Sequence, residues 1–273
     1  MPIVELSGIR KTYGRGGFFR KQERFTVLRN VDLSLRAGEC LGLVGRSGSG
    51  KSTLGRIMLG LESPDAGSVK ILGQDVTGCT RLPEHIRRAV QVVFQDAIGS
   101  TNPRMTAGEI IAEPLRNFDK LQGTALRERV AELLELVGLS PDDAGKLPGR
   151  FSGGQLQRIC IARALAPSPQ VIVLDEAVSS LDMLIQAHIL DLLDSLRRRY
   201  GTAYLFVTHD LRLVRRFCDR AFFMSDGNLH AFDPAKTVDM KGSKVLEELF
   251  NAILPPMPDA ARRQGNSGES VAV

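Results

Sequence analysis

Long apolar runs are missing from this sequence. The longest apolar stretches, such as Val171–Leu174, are only as long as a strand, whereas a helix that crosses a membrane needs about 18 or more apolar residues. We therefore expect no membrane-spanning segment. The N-terminal sequence MPIVELSG has no basic stretch ahead of an apolar one, so we also expect no signal peptide.

Cysteine is scarce, and so is excess charge. The four cysteines lie far apart without C-x-x-C spacing, at Cys40, Cys79, Cys160 and Cys218. This pattern favours reduced structural thiols in a cytosolic protein. The chain has 36 Lys and Arg against 31 Asp and Glu, a net charge of +5, and its basic residues are scattered. We therefore expect no nucleic-acid partner.

The pattern that is present alternates short apolar strands with amphipathic helices, which favours a layered α/β fold. The N-terminal third is rich in strands, and the glycine-rich, basic segment Gly14–Arg24 is predicted to be a loop. Residues from about 97 to 160 are predicted to be mostly helical, with Thr124 as an N-cap and Gly138 just after a helix end. A last short helix is expected at 246–253, followed by a disordered tail at 255–273.

A glycine-rich motif predicts a phosphate site. The segment Gly45–Ser52 fits the pattern G-x4-G-K-[ST] and lies between a predicted strand and a predicted helix. Its glycines let backbone N–H groups turn towards phosphate oxygens, and the helix N-terminus adds positive charge. The alternative is a chance match in a glycine-rich turn. The predicted ATP-binding residues of this segment are Gly45, Arg46, Ser47, Gly48, Ser49, Gly50, Lys51, Ser52 and Thr53.

Two carboxylates follow the apolar strand Val171–Leu174. In open α/β sheets ligands bind at this end of the strands. Asp175 can hold Mg²⁺ together with the hydroxyl of Ser52, and Glu176 can act as the general base for an attacking water. The alternative is that Asp175 and Glu176 are simply a solvated acidic pair after a core strand. The nearby phosphate loop disfavours this alternative.

A second glycine-rich helix start, Phe151–Gln155, makes the whole pattern resemble the ATP-binding-cassette ATPases over roughly residues 1–254. Further motifs of that family occur in the expected order, at Tyr13, Gln95, Ser180-Leu181-Asp182 and His209. The resemblance implies a P-loop NTPase fold with a RecA-like α/β core, an N-terminal antiparallel β subdomain and a helical subdomain inserted at about 97–160.

The resemblance also implies a role for each motif. Tyr13 would stack under the adenine, and Lys51, Glu176 and His209 would be catalytic. The implied Mg²⁺ ligands are Ser52, Gln95 and Asp175. The implied contacts to ATP held by a partner subunit are Ser152, Gly153, Gly154 and Gln155, with Asp182 in the D-loop and also capping a helix. The implied state is a head-to-tail dimer with ATP and Mg²⁺ between the subunits.

Three functions remain open: the ATPase of a membrane transporter, a soluble cassette protein acting on ribosomes or DNA, and a module that does not hydrolyse ATP. A single cassette without sustained heptads argues against the second. The intact set Lys51, Asp175, Glu176 and His209 argues against the third.

The finer resemblance is to the ATPases of bacterial peptide and nickel importers. It rests on Val93–Asp96, on Asn102–Arg104 and on Ala177-Val178, where the family usually has Pro-Thr. It implies a similar second ATPase, two permease subunits and an extracytoplasmic binding protein, at the cytoplasmic face of the inner membrane. Nickel import is favoured, and a dipeptide, oligopeptide or metal-chelate substrate is the alternative.

Overall fold

Two β-sheets organise the residues that the computed structural model describes, which are 1–15, 23–179 and 181–236. In chain order the strands are β1 (Pro2–Arg15), β2 (Glu23–Arg36), β3 (Cys40–Gly45), β4 (Ala66–Ile71), β5 (Gln74–Asp75), β6 (Val90–Phe94), β7 (Val171–Asp175), β8 (Ala203–Thr208), β9 (Arg220–Ser225) and β10 (Asn228–Phe232). The predicted last helix, the predicted tail, Ser180 and positions 16–22 of the predicted loop lie outside the described residues.

The first sheet is antiparallel, with strand order β2-β1-β4-β5. Val4 and Leu6 of β1 are buried, and a register shift around Gly8, whose φ is +62°, brings Ile9 into the same core. The predicted loop Gly14–Arg24 was too long, because its two end residues pair with each other in the β1–β2 ladder.

The second sheet has the order β10-β9-β3-β8-β7-β6, in which only β10 is antiparallel to its neighbour. Strands β3 and β8 are buried along their whole length, as expected for parallel strands that are covered on both faces. The predicted α/β class, with a parallel core and an N-terminal antiparallel sheet, is confirmed. The carboxyl ends of β3, β7 and β8 lie at one edge of this sheet.

Seven α-helices connect or cover these strands in the described residues: α1 (Lys51–Met58), α2 (Glu84–Ala89), α3 (Ala107–Pro114), α4 (Gly123–Leu136), α5 (Gly153–Leu165), α6 (Met183–Tyr200) and α7 (Leu211–Phe217). A π-helical turn, Leu115–Asp119, follows α3, and short 3-10 turns occur at Pro141–Gly145, Pro148–Arg150 and Pro234–Lys236. None of the helices in this part of the chain has the length and apolar character needed to cross a bilayer.

Helices α3, α4 and α5 lie in the chain between β6 and β7, which are neighbours in the sheet. The predicted helix stop is confirmed, because Gly138 follows α4 with a φ of +72°. The predicted cap at Thr124 is wrong, since α4 already begins at Gly123. That these helices form a separate subdomain stays a prediction.

The parallel sheet is packed differently on its two faces. On one face, Leu41, Leu43 and Leu205 join a core with α1 and the first sheet. On the other face, the ring of Phe217 from α7 packs 5.9 Å from the ring of Tyr204 and 5.2 Å from that of Phe206, measured between centroids. Both strand aromatics are completely buried, so α7 is held on the sheet by aromatic packing.

Gly42 of β3 allows α7 to approach this closely. A Cβ atom at this position would lie 2.9 Å from Cγ1 of Val214, 3.1 Å from Sγ of Cys218 and 3.3 Å from Cβ of Ala221. The helix therefore packs directly on the strand backbone.

We expect Gly42→Ala to destabilise the protein by about 1–3 kcal/mol, because the added methyl group overpacks this contact. Gly55→Ala in α1 is the matched control, since its added Cβ would be 3.7 Å from the nearest atom, Cγ1 of Val173. The control should be neutral or stabilising, because alanine favours a helix over glycine. Urea unfolding of both variants measures the difference, and equal stability would contradict the close packing at Gly42.

Candidate active site

The loop between β3 and α1 has a conformation that depends on its glycines. Gly48 and Gly50 have φ values of +80° and +110°, which disfavour any side chain. A Cβ at Gly45 would lie 2.5 Å from the carbonyl oxygen of Met224, so this position also requires glycine. Gly50 precedes α1 and supplies no side-chain cap. The first N–H groups of α1 therefore remain available for an anion.

Lys51 lies inside this loop. Its side chain is buried, and Nζ donates to the carbonyl oxygens of Gly45 at 2.8 Å and Arg46 at 2.9 Å. Burial lowers the pKa of Lys51, while the negative charges of Glu176 and Asp175 act in the opposite direction. The loop thus holds one buried cation, and two of its three N–H donors bind the loop's own carbonyl oxygens.

Two further observations show that the loop suits a phosphate group. The hydroxyl oxygen of Ser49 is buried and has no partner among the described atoms, which is unusual for a buried polar group. Around the loop, Arg46, Ser47 and Gly48 are exposed, and a Cβ at Gly48 would meet no atom within 4 Å. The loop therefore has unused polar groups and open space beside a helix N-terminus.

Asp175 lies at the end of β7, beside the start of α1. The hydroxyl of Ser52 donates to Asp175 Oδ1 at 3.5 Å, so the structure brings these two predicted metal ligands together. Burial is the main cause that raises the pKa of Asp175, and the charge of Glu176 adds to it. A hydroxyl and a carboxylate are oxygen donors of the kind that Mg²⁺ takes alongside phosphate and water.

Gln95, the third predicted metal ligand, is placed at the same edge of the sheet. It follows Phe94, which pairs with Asp175 in the β6–β7 ladder. Its side chain is exposed and, in the described part of the chain, makes no hydrogen bond or ion pair. The structure therefore places the Gln95 backbone next to Asp175 but does not join their side chains.

Glu176 and His209 meet at the ends of β7 and β8. Glu176 has a φ of +49°, an uncommon conformation for a residue with a side chain, and its N–H donates to the carbonyl oxygen of Val207 at 2.9 Å. Ser179 donates from both its N–H and its hydroxyl to the Glu176 carbonyl. His209 Nδ1 lies 3.5 Å from Glu176 Oε2. The backbone bonds therefore fix the direction of a half-buried carboxylate beside an exposed imidazole.

The predicted stacking residue Tyr13 is held by residues that sequence analysis missed. Its hydroxyl donates to Glu62 Oε1 at 2.5 Å and lies 3.5 Å from Oγ1 of Thr53. Lys11 Nζ lies 5.6 Å from the centre of the Tyr13 ring and 3.4 Å from Glu62 Oε1. The residue as a whole is 38% exposed. Lys11 shares a face of β1 with Tyr13 by its spacing of two, but nothing in the sequence pointed to Glu62.

The second glycine-rich motif forms the N-terminus of α5. Ser152 caps this helix by accepting from the N–H of Gln155 at 3.3 Å, and Gln155 Oε1 accepts from the N–H of Ser152 at 3.0 Å. Both side chains are exposed. The described contacts include no hydrogen bond or ion pair from this motif to Lys51, Asp175 or Glu176, so the protomer contains two separate candidate anion-binding helix ends.

This motif packs against the start of α6. A Cβ at Gly154 would lie 2.7 Å from Cγ2 of Ile185, and one at Gly153 would lie 3.9 Å from Cδ2 of Leu181. Asp182 caps α6 by accepting from the N–H of Ile185 at 3.0 Å, as predicted. The segment that follows Glu176 is therefore in direct contact with the second glycine-rich motif.

The chain is similar in sequence to known proteins of one family. The family model described as ABC transporter matches residues 28–179. The chain is 46% identical over 261 residues to the nickel import ATP-binding protein NikE of Rhodospirillum rubrum, covering 95% of this chain and 94% of that protein. It is 43% identical over 262 residues to the protein of the same name in Escherichia coli K12, covering 94% and 97% respectively.

A solved structure is also similar. It is the dimeric structure of a post-hydrolysis state of the ATP-binding cassette MJ0796 bound to ADP and Pi. The TM-score is 0.74 at 33% sequence identity, covering 85% of this chain and 98% of that chain.

We expect Gly154→Ala to destabilise the chain by about 1–3 kcal/mol, because the new methyl group would overlap Ile185. Ile185→Ala removes the overlapping atoms, so the double variant should be more stable than the sum of the two single effects predicts. Urea unfolding of the four proteins in this cycle measures the coupling. Strict additivity would contradict the contact between the glycine-rich motif and α6.

We expect Asp175→Asn to stabilise the purified protein at neutral pH. The raised pKa of Asp175 means that the folded chain favours the protonated carboxyl, so the wild-type chain loses stability as pH rises through the acidic range in which this group ionises. Asparagine removes that loss. The gain in unfolding free energy should shrink near about pH 3, below the ordinary Asp pKa. Exposed Asp142→Asn is the control, and an equal gain there would contradict this account.

Proposed function

Since the chain belongs to the ABC transporter family, we propose that it is the ATP-hydrolysing subunit of a bacterial importer that carries nickel across the inner membrane. The observation that carries this proposal is the convergence of Lys51, Asp175, Glu176 and His209 at the carboxyl ends of β3, β7 and β8. Two pairs of side chains at this edge of the sheet are in direct contact: Ser52 with Asp175, and Glu176 with His209.

Each group has a chemical role in phosphoryl transfer to water. Lys51 and the N–H groups at the start of α1 bind the phosphates, and Ser52 and Asp175 supply oxygen ligands for Mg²⁺. When bound with the nucleotide, Mg²⁺ neutralises phosphate charge. Glu176, fixed by its backbone bond to β8, accepts a proton from the attacking water. His209, 3.5 Å from that carboxylate, contacts the γ-phosphate.

Adenine recognition is assigned to the exposed face of Tyr13. The hydrogen bond to Glu62 and the contact with Thr53 hold the hydroxyl end of the side chain, so the ring is oriented before the nucleotide binds. A ring that is already oriented loses little conformational entropy on stacking. Tyr13 therefore contributes to binding rather than to the chemical step.

We assign the α5 helix end to the ATP of a partner subunit in a head-to-tail dimer. Ser152 and Gln155 are exposed at a helix N-terminus and lie apart from the phosphate loop of their own protomer. The γ-phosphate gains this second set of donors only in the closed dimer, and ADP lacks it. Hydrolysis would thus release the interface, because the two nucleotides differ in contacts with the two states. The partner ATPase is proposed to be a similar but distinct chain.

The segment after β6 suits contact with a permease. Phe94 and Ile98 are exposed apolar side chains on either side of Gln95, with Ile98 exposed by 73%. This segment is tied to α5, because Gln157 donates to the carbonyl oxygen of Phe94 at 3.4 Å and Arg163 donates to that of Ser100 at 2.6 Å. A shift of the segment would therefore be transmitted to the helix that begins at Ser152.

These features support a peripheral position at the cytoplasmic face of the inner membrane, bound to two permease subunits. An extracytoplasmic binding protein would deliver the substrate to the permeases. The assignment of nickel rests on the names of the similar proteins and on the near-complete length of those matches. The residues described above act on ATP, so substrate choice is assigned to the other subunits.

We expect Glu176→Gln to lower the ATPase rate by about a hundredfold or more while ATP binding is retained, because glutamine cannot accept the proton from water. The variant should accumulate as an ATP-bound dimer. Glu135→Gln, at an exposed position on α4, is the matched control and should hydrolyse ATP at the wild-type rate. Steady-state phosphate release and size-exclusion chromatography with ATP, each on the protein purified together with its partner ATPase, measure both effects, and near-normal hydrolysis by Glu176→Gln would refute its role as the base.

The nickel assignment is tested in cells grown at trace nickel. We expect cell-associated nickel to fall to the background of a deletion strain when the only copy carries Glu176→Gln, and excess nickel to reverse the resulting growth defect. The Glu135→Gln strain should accumulate nickel normally. If the purified wild-type subunits hydrolyse ATP but nickel accumulation does not depend on Glu176, the substrate is a peptide or a metal chelate instead.

A further inference from the structure

Two cysteines that are 178 positions apart in the sequence are neighbours in the structure. The sulfur atoms of Cys40 and Cys218 lie 3.6 Å apart, and both thiols are free. Cys40 begins β3, and Cys218 directly follows α7. The backbones are joined beside them, because the N–H of Asp219 donates to the Cys40 carbonyl at 2.8 Å and Asp219 Oδ2 accepts from the N–H of Cys40 at 2.8 Å. The pair is therefore held in place by the sheet.

The two thiols differ in access to solvent. Cys218 is partly exposed and lines a cleft of about 160 Å³ between α6 and α7, together with Arg197 and Asp219. Cys40 is fully buried behind it. Burial, reinforced by Cys218, raises the pKa of the Cys40 thiol well above its usual range. A small oxidant in the cleft would thus reach Cys218 first, and Cys40 would be the second thiol to react.

We propose that Cys40 and Cys218 form a peroxide-reactive thiol pair whose oxidation to a disulfide slows ATP hydrolysis by this chain. The Cys218 thiol releases its proton, its sulfur attacks one peroxide oxygen, and the O–O bond breaks. The departing hydroxide takes up one proton and leaves as water, giving a sulfenic acid. The Cys40 sulfur then attacks the Cys218 sulfur, and the sulfenic hydroxyl leaves with the Cys40 proton as a second water. Two thiols lose two electrons to one peroxide.

The effect on ATP hydrolysis rests on the proposed function and follows from what each cysteine is attached to. Strand β3 leads from Cys40 to the phosphate loop at Gly45, and α7 leads back from Cys218 to Asp210, the N-cap next to His209. A covalent S–S bond requires the two sulfurs to approach from 3.6 Å. Because β3 and α7 are already in close contact at Gly42, we expect the approach of the two sulfurs to shift α7 as a unit. This shift would move His209, which precedes α7, relative to Glu176.

The other two cysteines provide the comparison. Cys79 is partly exposed like Cys218, but the described contacts give it no thiol neighbour. Cys160 is buried in α5, where its sulfur lies 3.6 Å from the hydroxyl of Ser100. Cys218→Ser therefore removes the proposed pair, and Cys79→Ser removes another partly exposed thiol that is not part of it.

The experiment uses the full-length protein, purified together with its partner ATPase and treated with hydrogen peroxide. We expect peptide mass spectrometry to find the peptides of Cys40 and Cys218 linked, and the ATPase rate to fall about tenfold or more because a catalytic group is displaced. Dithiothreitol should reverse both changes. Cys79→Ser should respond like the wild type, and Cys218→Ser should keep its ATPase rate and form no linked peptide.

Each of the following results would contradict one part of the proposal. Peroxide treatment that converts Cys218 to a sulfinic acid without linkage to Cys40 refutes the thiol pair. Linkage without loss of ATPase activity refutes the effect on hydrolysis, as does equal inactivation of Cys218→Ser. If the untreated complex of wild-type protein and partner ATPase has no ATPase activity, the proposed function fails, whereas mass spectrometry still decides whether the two cysteines become linked.

Discussion

Parallel hydrogen bonding between β3, β8 and β7 is the constraint on which the candidate active site depends. It aligns three strands whose sequences are widely separated and places all their carboxyl ends at one edge. The ladder continues one residue further at Glu176, whose N–H binds the carbonyl of Val207. Glu176 then leaves the strand conformation with a φ of +49°, and its carboxylate lies 3.5 Å from Nδ1 of His209. Without this alignment, the phosphate loop, the acidic pair and the histidine would be unrelated loop residues.

At several glycines the backbone lies in close contact with a neighbouring strand or helix. Gly45 lies against the Met224 carbonyl, Gly42 lies under α7, and Gly154 lies against Ile185. In each case a side chain would separate two elements that must touch. These contacts link the phosphate loop to β9, the helix α7 that follows His209 to β3, and the second glycine-rich motif to α6. Because these elements are closely packed, a small displacement of one element at the site also displaces the element packed against it.

Local motifs in the sequence predicted most of the site. The loop Gly45–Ser52, the acidic pair after β7 and the capping role of Asp182 each depend on residues close together in the chain, so their geometry follows from local rules. The pairing of Gly14 with Arg24 was not predicted, because a glycine-rich, basic composition resembles a loop even where a hairpin ladder continues through it. Glu62 was also missed, since its contact with Tyr13 joins residues from β1 and from the turn after α1.

The class of fold, the phosphate loop and the chemical types of the candidate catalytic groups could be predicted from the sequence, because each depends on a short periodic pattern or on adjacent residues. Which distant side chains meet depends on the tertiary fold. It brought His209 to Glu176, Glu62 to Tyr13 and Cys218 to Cys40. Sequence analysis treated the four cysteines as separate structural thiols because none are close in the chain. Contacts of this kind arise from strand order and helix packing, which no local pattern of residues specifies.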